Sequence, residues 1–303
     1  MTTTLNSQTM ALHIPRSFPS SMSPQGIVFT DLDGTLFRSD RTLSAHSRKV
    51  LEKLPDQGIV RVVATGRSLA SFLEAAGDDF PADYVIFSTG AGVVSLNNLE
   101  IIKTAALDRT AISQTLDVLR QTELDFMLHH PIPENHRFAY ESRGEHNPDF
   151  TTRIEALEAW GNPLSADEVW EQASQFVAIT PPWRGLEPLY TVRAALPELS
   201  VIRATSPFDH QSTWIEIFPA HVSKSHAARW LCAFLGVSLE QTMTVGNDYN
   251  DLDLLEMTPH PFVVANAPEE LAGRFSMVPD NDHDGAARAI TAWIDRVANT
   301  LNI

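Results

Sequence analysis

The sequence predicts an α/β fold: a Rossmann-like parallel sheet built from two separated stretches of chain, with an α+β domain inserted between them. Three observations carry this. Short apolar runs ending in polar, glycine-bearing loops and followed by helical patterns occur in succession between residues 26 and 92. The same grammar returns after residue 220. Between them lies a stretch of about 120 residues with mixed strand and helix signals, long enough for its own core. The total of 303 residues suits two domains of roughly 150 residues each. The expected organisation is a disordered tail over 1–25, core over 26–92, the inserted domain over 93–219, and core again over 220–303.

The tail is rich in Ser, Thr and Pro and lacks the charged start and apolar stretch of a secretory signal. Residues 26–30 (GIVFT) are a short apolar run, as a strand buried on both faces requires. Ser44 caps a helix reaching about Leu54, with Val50, Leu51 and Leu54 on one face. Residues 59–64 are a second strand, ending at Thr65-Gly66-Arg67, and a helix follows over 68–76. Residues 84–87 are a third strand, running into Ser88-Thr89-Gly90-Ala91-Gly92. In the middle, 124–129 and 137–140 suit a strand pair. Further strands are expected at 175–180, 200–204 and 214–218, with an amphipathic helix over 186–196. A helix over 225–235 places Ala228, Leu231 and Leu235 on one face. Strands at 242–245 and 261–265 and a helix over 284–301 close the chain.

Composition narrows the function. Lys plus Arg is 22 and Asp plus Glu is 38, for a net charge of −16. So acidic a chain lacks the basic footprint that nucleic acid or anionic lipid requires, while a local basic pocket for one small anion is still allowed. No run approaches the roughly 20 apolar residues of a membrane span. Cys232 is the one cysteine, so neither an internal disulfide nor a cysteine-based zinc site can form. A reduced, cytoplasmic setting fits this, and a monomer or homodimer is expected.

In an open parallel sheet, ligands bind at the carboxyl ends of the strands. Four polar groups are expected to converge there, each at the end of a separate parallel strand. Asp31 and Asp33 lie two residues apart just past the first strand and point the same way if the backbone stays extended. Such a pair repels itself unless a cation sits between, which makes it a site for a hard cation such as magnesium (Mg2+). With the cation bound, Asp31 keeps an ionised oxygen to attack phosphorus and Asp33 can shuttle a proton to and from the ester oxygen. Gly34 permits the sharp turn; the same letters also suit a plain acidic turn. Thr65 with the Gly66 amide forms an anion cradle or a helix cap, and Arg67 would salt-bridge locally. Lys224 opens a helix against the macrodipole, so an anionic ligand or a neighbouring carboxylate is expected beside it. The loop 246–251 (GNDYND) is dense in oxygen ligands, one of which could complete a Mg2+ shell and another hold Lys224.

These motifs, DxDGT at 31–35, VVATGR at 62–67, the lysine at a helix start and the GNDYND loop, resemble the haloacid dehalogenase-like phosphohydrolase superfamily. The resemblance covers 26–92 and 220–303, and the middle by position alone. The insertion is similar to the type-two cap of the Cof-type and sucrose-phosphate-phosphatase branch. The resemblance implies a Mg2+-dependent phosphatase of a small phosphorylated metabolite, a sugar or polyol phosphate, working through an aspartyl-phosphate. Asp31 would be the nucleophile and Asp33 the general acid/base. Thr65, Gly66 and Lys224 would bind the phosphoryl group. Mg2+ would be held by Asp31, the Asp33 carbonyl and Asn247 or Asp248, with Asn250 and Asp251 in support. Three positions depart from the branch: Asn247 stands where it has Asp, Thr89 where it often has Asn, and Ser225 where it has Gly. The loss of one negative charge at 247 predicts weaker metal binding, and the alternatives are a catalytically weak phosphometabolite-binding module or a phosphomutase or other phosphotransferase on the same core.

Substrate choice is expected in the cap, where His129, His130, His136, Arg137 and Trp183-Arg184 are candidates to face the core. A zinc site from His129, His130 and His136 is disfavoured, since adjacent residues on a strand face opposite ways. Cys232 is expected to fill the core, and hinges are expected near Gly92 and Pro219.

Overall fold

The computed structural model describes residues 23–143, 146–165 and 169–301. Up to residue 22, the tail expected to be disordered lies outside the described residues. The chain begins with β1 (Gly26–Thr30), α1 (Ala45–Lys53), β2 (Ile59–Ala64), α2 (Leu69–Ala76), β3 (Tyr84–Phe87), β4 (Gly92–Ser95) and β5 (Glu100–Thr104). It continues through β6 (Leu107–Asp108), α3 (Arg109–Gln121), β7 (Asp125–His129), β8 (Phe138–Glu141), α4 (Pro148–Ala156) and β9 (Gly161–Pro163). Next come β10 (Gln172–Ala173), α5 (Glu187–Ala195) after β11 (Gln175–Thr180), β12 (Ser200–Thr205) and β13 (Thr213–Phe218). It closes with α6 (Lys224–Leu235), β14 (Thr242–Gly246), α7 (Leu252–Met257), β15 (Pro261–Val264), α8 (Glu269–Ala272), β16 (Ser276–Val278) and α9 (Gly285–Leu301).

One large sheet has the order β16-β15-β14-β1-β2-β3-β4-β5. From β16 to β3 the strands are parallel, and β4 and β5 extend the sheet antiparallel. The continuous apolar runs of β1 and β2 are explained by burial on both faces. On one face α1, α2 and α9 pack Leu51, Phe72, Ile290 and Trp293. On the other, α6 and α7 pack Ala227, Ala228, Leu231 and Leu254, and Cys232 fills the same core. Ser44 and Ser68 cap α1 and α2 by accepting the amides of Ser47 and Ser71.

The smaller sheet has the order β12-β13-β11-β7-β8-β9. Its pairings are antiparallel, apart from β8 with β9. Helices α3 and α5 cover one face, packing Leu119, Leu189 and Val192 against Phe126, Phe176 and Ile215. Helix α4 covers part of the other with Phe150, against Met127, Val177 and Trp214. This is the α+β unit, inserted into an α/β core. Among the described residues no helix is long and apolar enough to cross a membrane.

Two expectations need correction. The junction expected at residue 92 falls inside the large sheet, because β4 hydrogen-bonds to β3 and β5 to β4, so that sheet continues to Thr104. Lys224 does not follow a parallel core strand. The strand before it, β13, pairs antiparallel with β11 and β12 in the smaller sheet. Lys224 reaches the core site because it heads α6, whose cap Ser223 accepts the His226 amide.

Candidate active site

The register Thr30↔Val245 and Thr30↔Val63 aligns three neighbouring strand ends. Asp31, Thr65 and the 246–251 loop therefore start side by side. Asp31 is 6% exposed, and its amide donates to the Val245 carbonyl at 2.9 Å. Beyond it the chain turns sharply, with Gly34 at φ +73°. A Cβ on Gly34 would lie 2.5 Å from Asn247 Nδ2, so both the left-handed backbone and the close approach require glycine there.

Lys224 is fully buried, and its Nζ donates to Asp31 Oδ1 at 2.7 Å and Asp251 Oδ1 at 2.6 Å. Burial alone would lower the ammonium pKa, but the two carboxylates override it and hold the group protonated. For Asp31, burial and then the charge of Asp251 raise the pKa to about 7 against the pull of Lys224. Asp31 Oδ2 is buried without a hydrogen-bond partner. A buried carboxylate oxygen with nothing to accept from is costly unless a ligand completes it. Asp251 Oδ2 meanwhile accepts the amides of Asn247 and Asp248 at 2.9 and 3.1 Å and so fixes the loop.

Asp33 faces Arg67, which donates from Nε and Nη2 at 2.7 Å each. The Thr65 hydroxyl accepts the Arg67 amide at 3.1 Å, while Ser68 caps α2. Asn250 lies at the same place: a Cβ on Gly66 would sit 3.8 Å from its Nδ2, 3.5 Å from Thr89 Oγ1 and 3.7 Å from Glu216 Oε1. The space over Gly66 is thus bordered by polar groups from three other segments.

The metal set can be tested against these contacts. Among the described residues no three His, Cys, Asp or Glu side chains converge as a metal cluster. Of the oxygens expected to hold the metal, Asp31 Oδ2 is unpartnered and Asn247 Oδ1 accepts the Thr35 hydroxyl at 3.1 Å; the Asp33 carbonyl is the third expected. All are hard donors, with a single carboxylate among them, which fits Mg2+ held with added water. Asp248 does not join them. Its oxygens accept the Thr205 amide and hydroxyl at 2.7 Å each, across to β12, while Arg203 lies over the Tyr249 ring at 3.6 Å.

Sequence reasoning missed Glu216. Burial raises its pKa, and it accepts the Thr89 hydroxyl at 2.8 Å. The available signal was one charged residue inside an apolar strand. Thr89 itself stands at φ +53°, a conformation a β-branched residue rarely adopts. Of the cap candidates, His129 is buried against Asn135, whereas Arg184 donates to the Thr122 and Glu123 carbonyls at the far end of β7 and Trp183 is exposed. His129 and His130 diverge, towards Phe138 and Trp170.

A family model described as haloacid dehalogenase-like hydrolase matches residues 28–290. The chain belongs to that family. Curated relatives of this hydrolase include two 5-amino-6-(5-phospho-D-ribitylamino)uracil phosphatases of Bacillus subtilis. YwtE is 24% identical over 277 residues, covering 85% of this chain and 94% of its own. YcsE is 22% identical over 269 residues, covering 88% and 95%. A phosphatase of the haloalkanoate enzyme superfamily from Bacteroides thetaiotaomicron shares the fold, with TM-score 0.73, 20% identity and coverage of 90% and 97%. So does a subclass IIB sugar phosphatase, with TM-score 0.69, 17% identity and coverage of 88% and 98%. The hydrolase is accordingly a phosphatase, acting on phosphoric monoesters.

Proposed function

We propose that this phosphatase hydrolyses a sugar or polyol phosphate, with Mg2+, through a phosphoryl group carried on Asp31. One observation supports the reading above others: the buried Lys224 bridge to Asp31 and Asp251, which leaves Asp31 Oδ2 buried and unpartnered. The ribityl phosphate in the relatives' names and the sugar phosphatase among the structural neighbours support the substrate class.

Phosphoryl transfer asks mainly for positioning and charge neutralisation. Lys224 fixes the Asp31 carboxylate and presents its positive charge where the phosphate arrives. Thr65 and the Gly66 amide cradle the remaining phosphate oxygens. Attack by Asp31 forms an acyl phosphate and releases the alcohol, which takes its proton from Asp33. Asp33, oriented by Arg67, then accepts a proton from the water that attacks the acyl phosphate. Bound to Asp31, the Asp33 carbonyl and Asn247, Mg2+ would supply Lewis-acid neutralisation of the phosphate charge. Water must be kept out of the first step and admitted to the second, which gives the cap its purpose.

The test is a phosphate-release assay with Mg2+ over p-nitrophenyl phosphate and a sugar phosphate panel. Wild type should turn over and Asp31→Asn should not; equal rates for both would overturn the reading. A second reading draws on Asn247, which leaves one carboxylate in the metal set: a module that binds the phosphometabolite without hydrolysing it. Calorimetric binding with no phosphate release over hours would favour that reading.

A further inference from the structure

The inserted domain presents to the core a group of acceptors that the chemistry above does not use. The cross-strand pairs Gln175↔His129, Val177↔Met127 and Val177↔Glu216 put His129, Gln175 and Glu216 on one face of the smaller sheet. That face is apolar under α4, where Met127, Val177 and Trp214 meet Phe150. Beyond α4 it turns polar, and the polar end is tied to the core. Asn135 donates from Nδ2 to Ser88 Oγ at 2.7 Å, and the next residue, Thr89, donates to Glu216. Thr89 and Glu216 border the space over Gly66.

The hydrogen-bond roles in this group are fixed by their partners. His129 Nδ1 lies 3.0 Å from the Asn135 carbonyl, which can only accept, so Nδ1 carries the proton. Burial pushes the His129 pKa down to about 3, so the ring is neutral and Nε2 is an acceptor. Asn135 gives one amide hydrogen to Ser88, and its Oδ1 can only accept. His129 Nε2, Asn135 Oδ1 and Gln175 Oε1 are all buried and have no partner. Buried polar atoms are nearly always paired, and these three acceptors lie together at the polar end of one sheet face, where a ligand's donors could reach them. A carboxylate, Glu216, adds further accepting oxygens. Acceptors of this number suit a ligand that brings O–H donors, as a polyol does. The Arg153 guanidinium, stacked over Trp214 at 4.3 Å, supplies the donor that a hydroxyl oxygen would need in return.

We propose that His129, Asn135, Gln175 and Glu216 are the specificity-determining residues of the cap and read the hydroxyl groups of a polyol leaving group. This rests on the phosphatase reading above and assigns the half of the site that holds the alcohol.

The experiment compares wild type, Gln175→Met and Glu216→Gln on ribitol 5-phosphate and on p-nitrophenyl phosphate, whose leaving group has no hydroxyl to read. Gln175→Met keeps the volume and removes only an unpaired amide, so the melting temperature should hold or rise. For ribitol 5-phosphate, kcat/KM should fall about tenfold, through KM. For p-nitrophenyl phosphate it should stay within about twofold. Glu216→Gln keeps the Thr89 bond but borders the space over Gly66, so it should lower kcat/KM on both substrates and about tenfold further on ribitol 5-phosphate, deciding the matter should Gln175→Met fold poorly. Equal losses on both substrates, or none on ribitol 5-phosphate, would overturn the assignment. Absence of turnover in wild type would instead sink the phosphatase reading. Calorimetry with ribitol 5-phosphate then decides the assignment alone: binding weakened about tenfold in Gln175→Met supports it, and unchanged or absent binding overturns it.

Discussion

Arg67 grips Asp33 with both arms of its guanidinium, two bonds of 2.7 Å between residues 34 apart in sequence. Arg67 is braced in turn by Ser71, whose hydroxyl accepts from Nη1 at 3.2 Å. The carboxylate proposed to move protons is therefore held by the loop that also carries Thr65 and Gly66.

Loosening that grip should slow the chemistry more than binding. Lysine cannot reproduce the fork. Arg67→Lys is expected to lower kcat about tenfold on p-nitrophenyl phosphate, with little change in KM, in a steady-state assay with Mg2+. A kcat within twofold of wild type would remove Arg67 from the positioning of Asp33.

The buried Lys224 bridge is a matter of stability. Removing one partner of a buried charge pair leaves the others uncompensated, at a cost of about 3–5 kcal/mol. Lys224→Met should lower the urea midpoint by a corresponding amount. Adding Asp251→Asn, which removes one of the two stranded charges, should recover part of the loss; a further additive loss would mean that the carboxylates do not repel across the site.

Asn247 is proposed to contribute to the metal site. Asn247→Asp keeps an oxygen for the Thr35 hydroxyl and adds a charge to the metal set. The Mg2+ concentration for half-maximal activity should fall about tenfold. An unchanged titration would exclude position 247 from the metal shell.

Acid should expose His129. Its folded pKa, about 3, lies below the ordinary value of 6.5 because burial disfavours the cation. Stability from this group is present above about pH 6.5 and is lost as pH falls from there towards about 3. Thermal melts of wild type should fall across this window. His129→Gln, which cannot titrate, should show a shallower fall, whereas an identical slope would assign the acid loss to the carboxylates.

The core could be read from the chain because its signals are local. An apolar run such as residues 26–30 followed by Asp31 reports both burial and a strand end, and Ser44 and Ser68 announce their helices. The site followed in part: Asp31 and the loop of Asp251 sit on such ends and both bond Lys224, which arrives instead from the start of α6. Asp248 could not be settled from spacing, since its partner, Thr205, lies 43 residues earlier on another sheet. The β4–β5 hairpin escaped notice because an antiparallel extension of a parallel sheet depends on which edge is free. The cap's polar group was hardest to see. Asn135 lies in a loop and Gln175 at a strand start, and only the cross-strand register joins them.

The bridge from Asp248 to Thr205 gives the molecule a built-in reporter. The Thr205 amide is protected by a carboxylate from the opposite layer. Whenever the two layers part, that proton meets solvent. Its deuterium uptake would clock the opening directly, and a bound substrate would slow it without any label being attached.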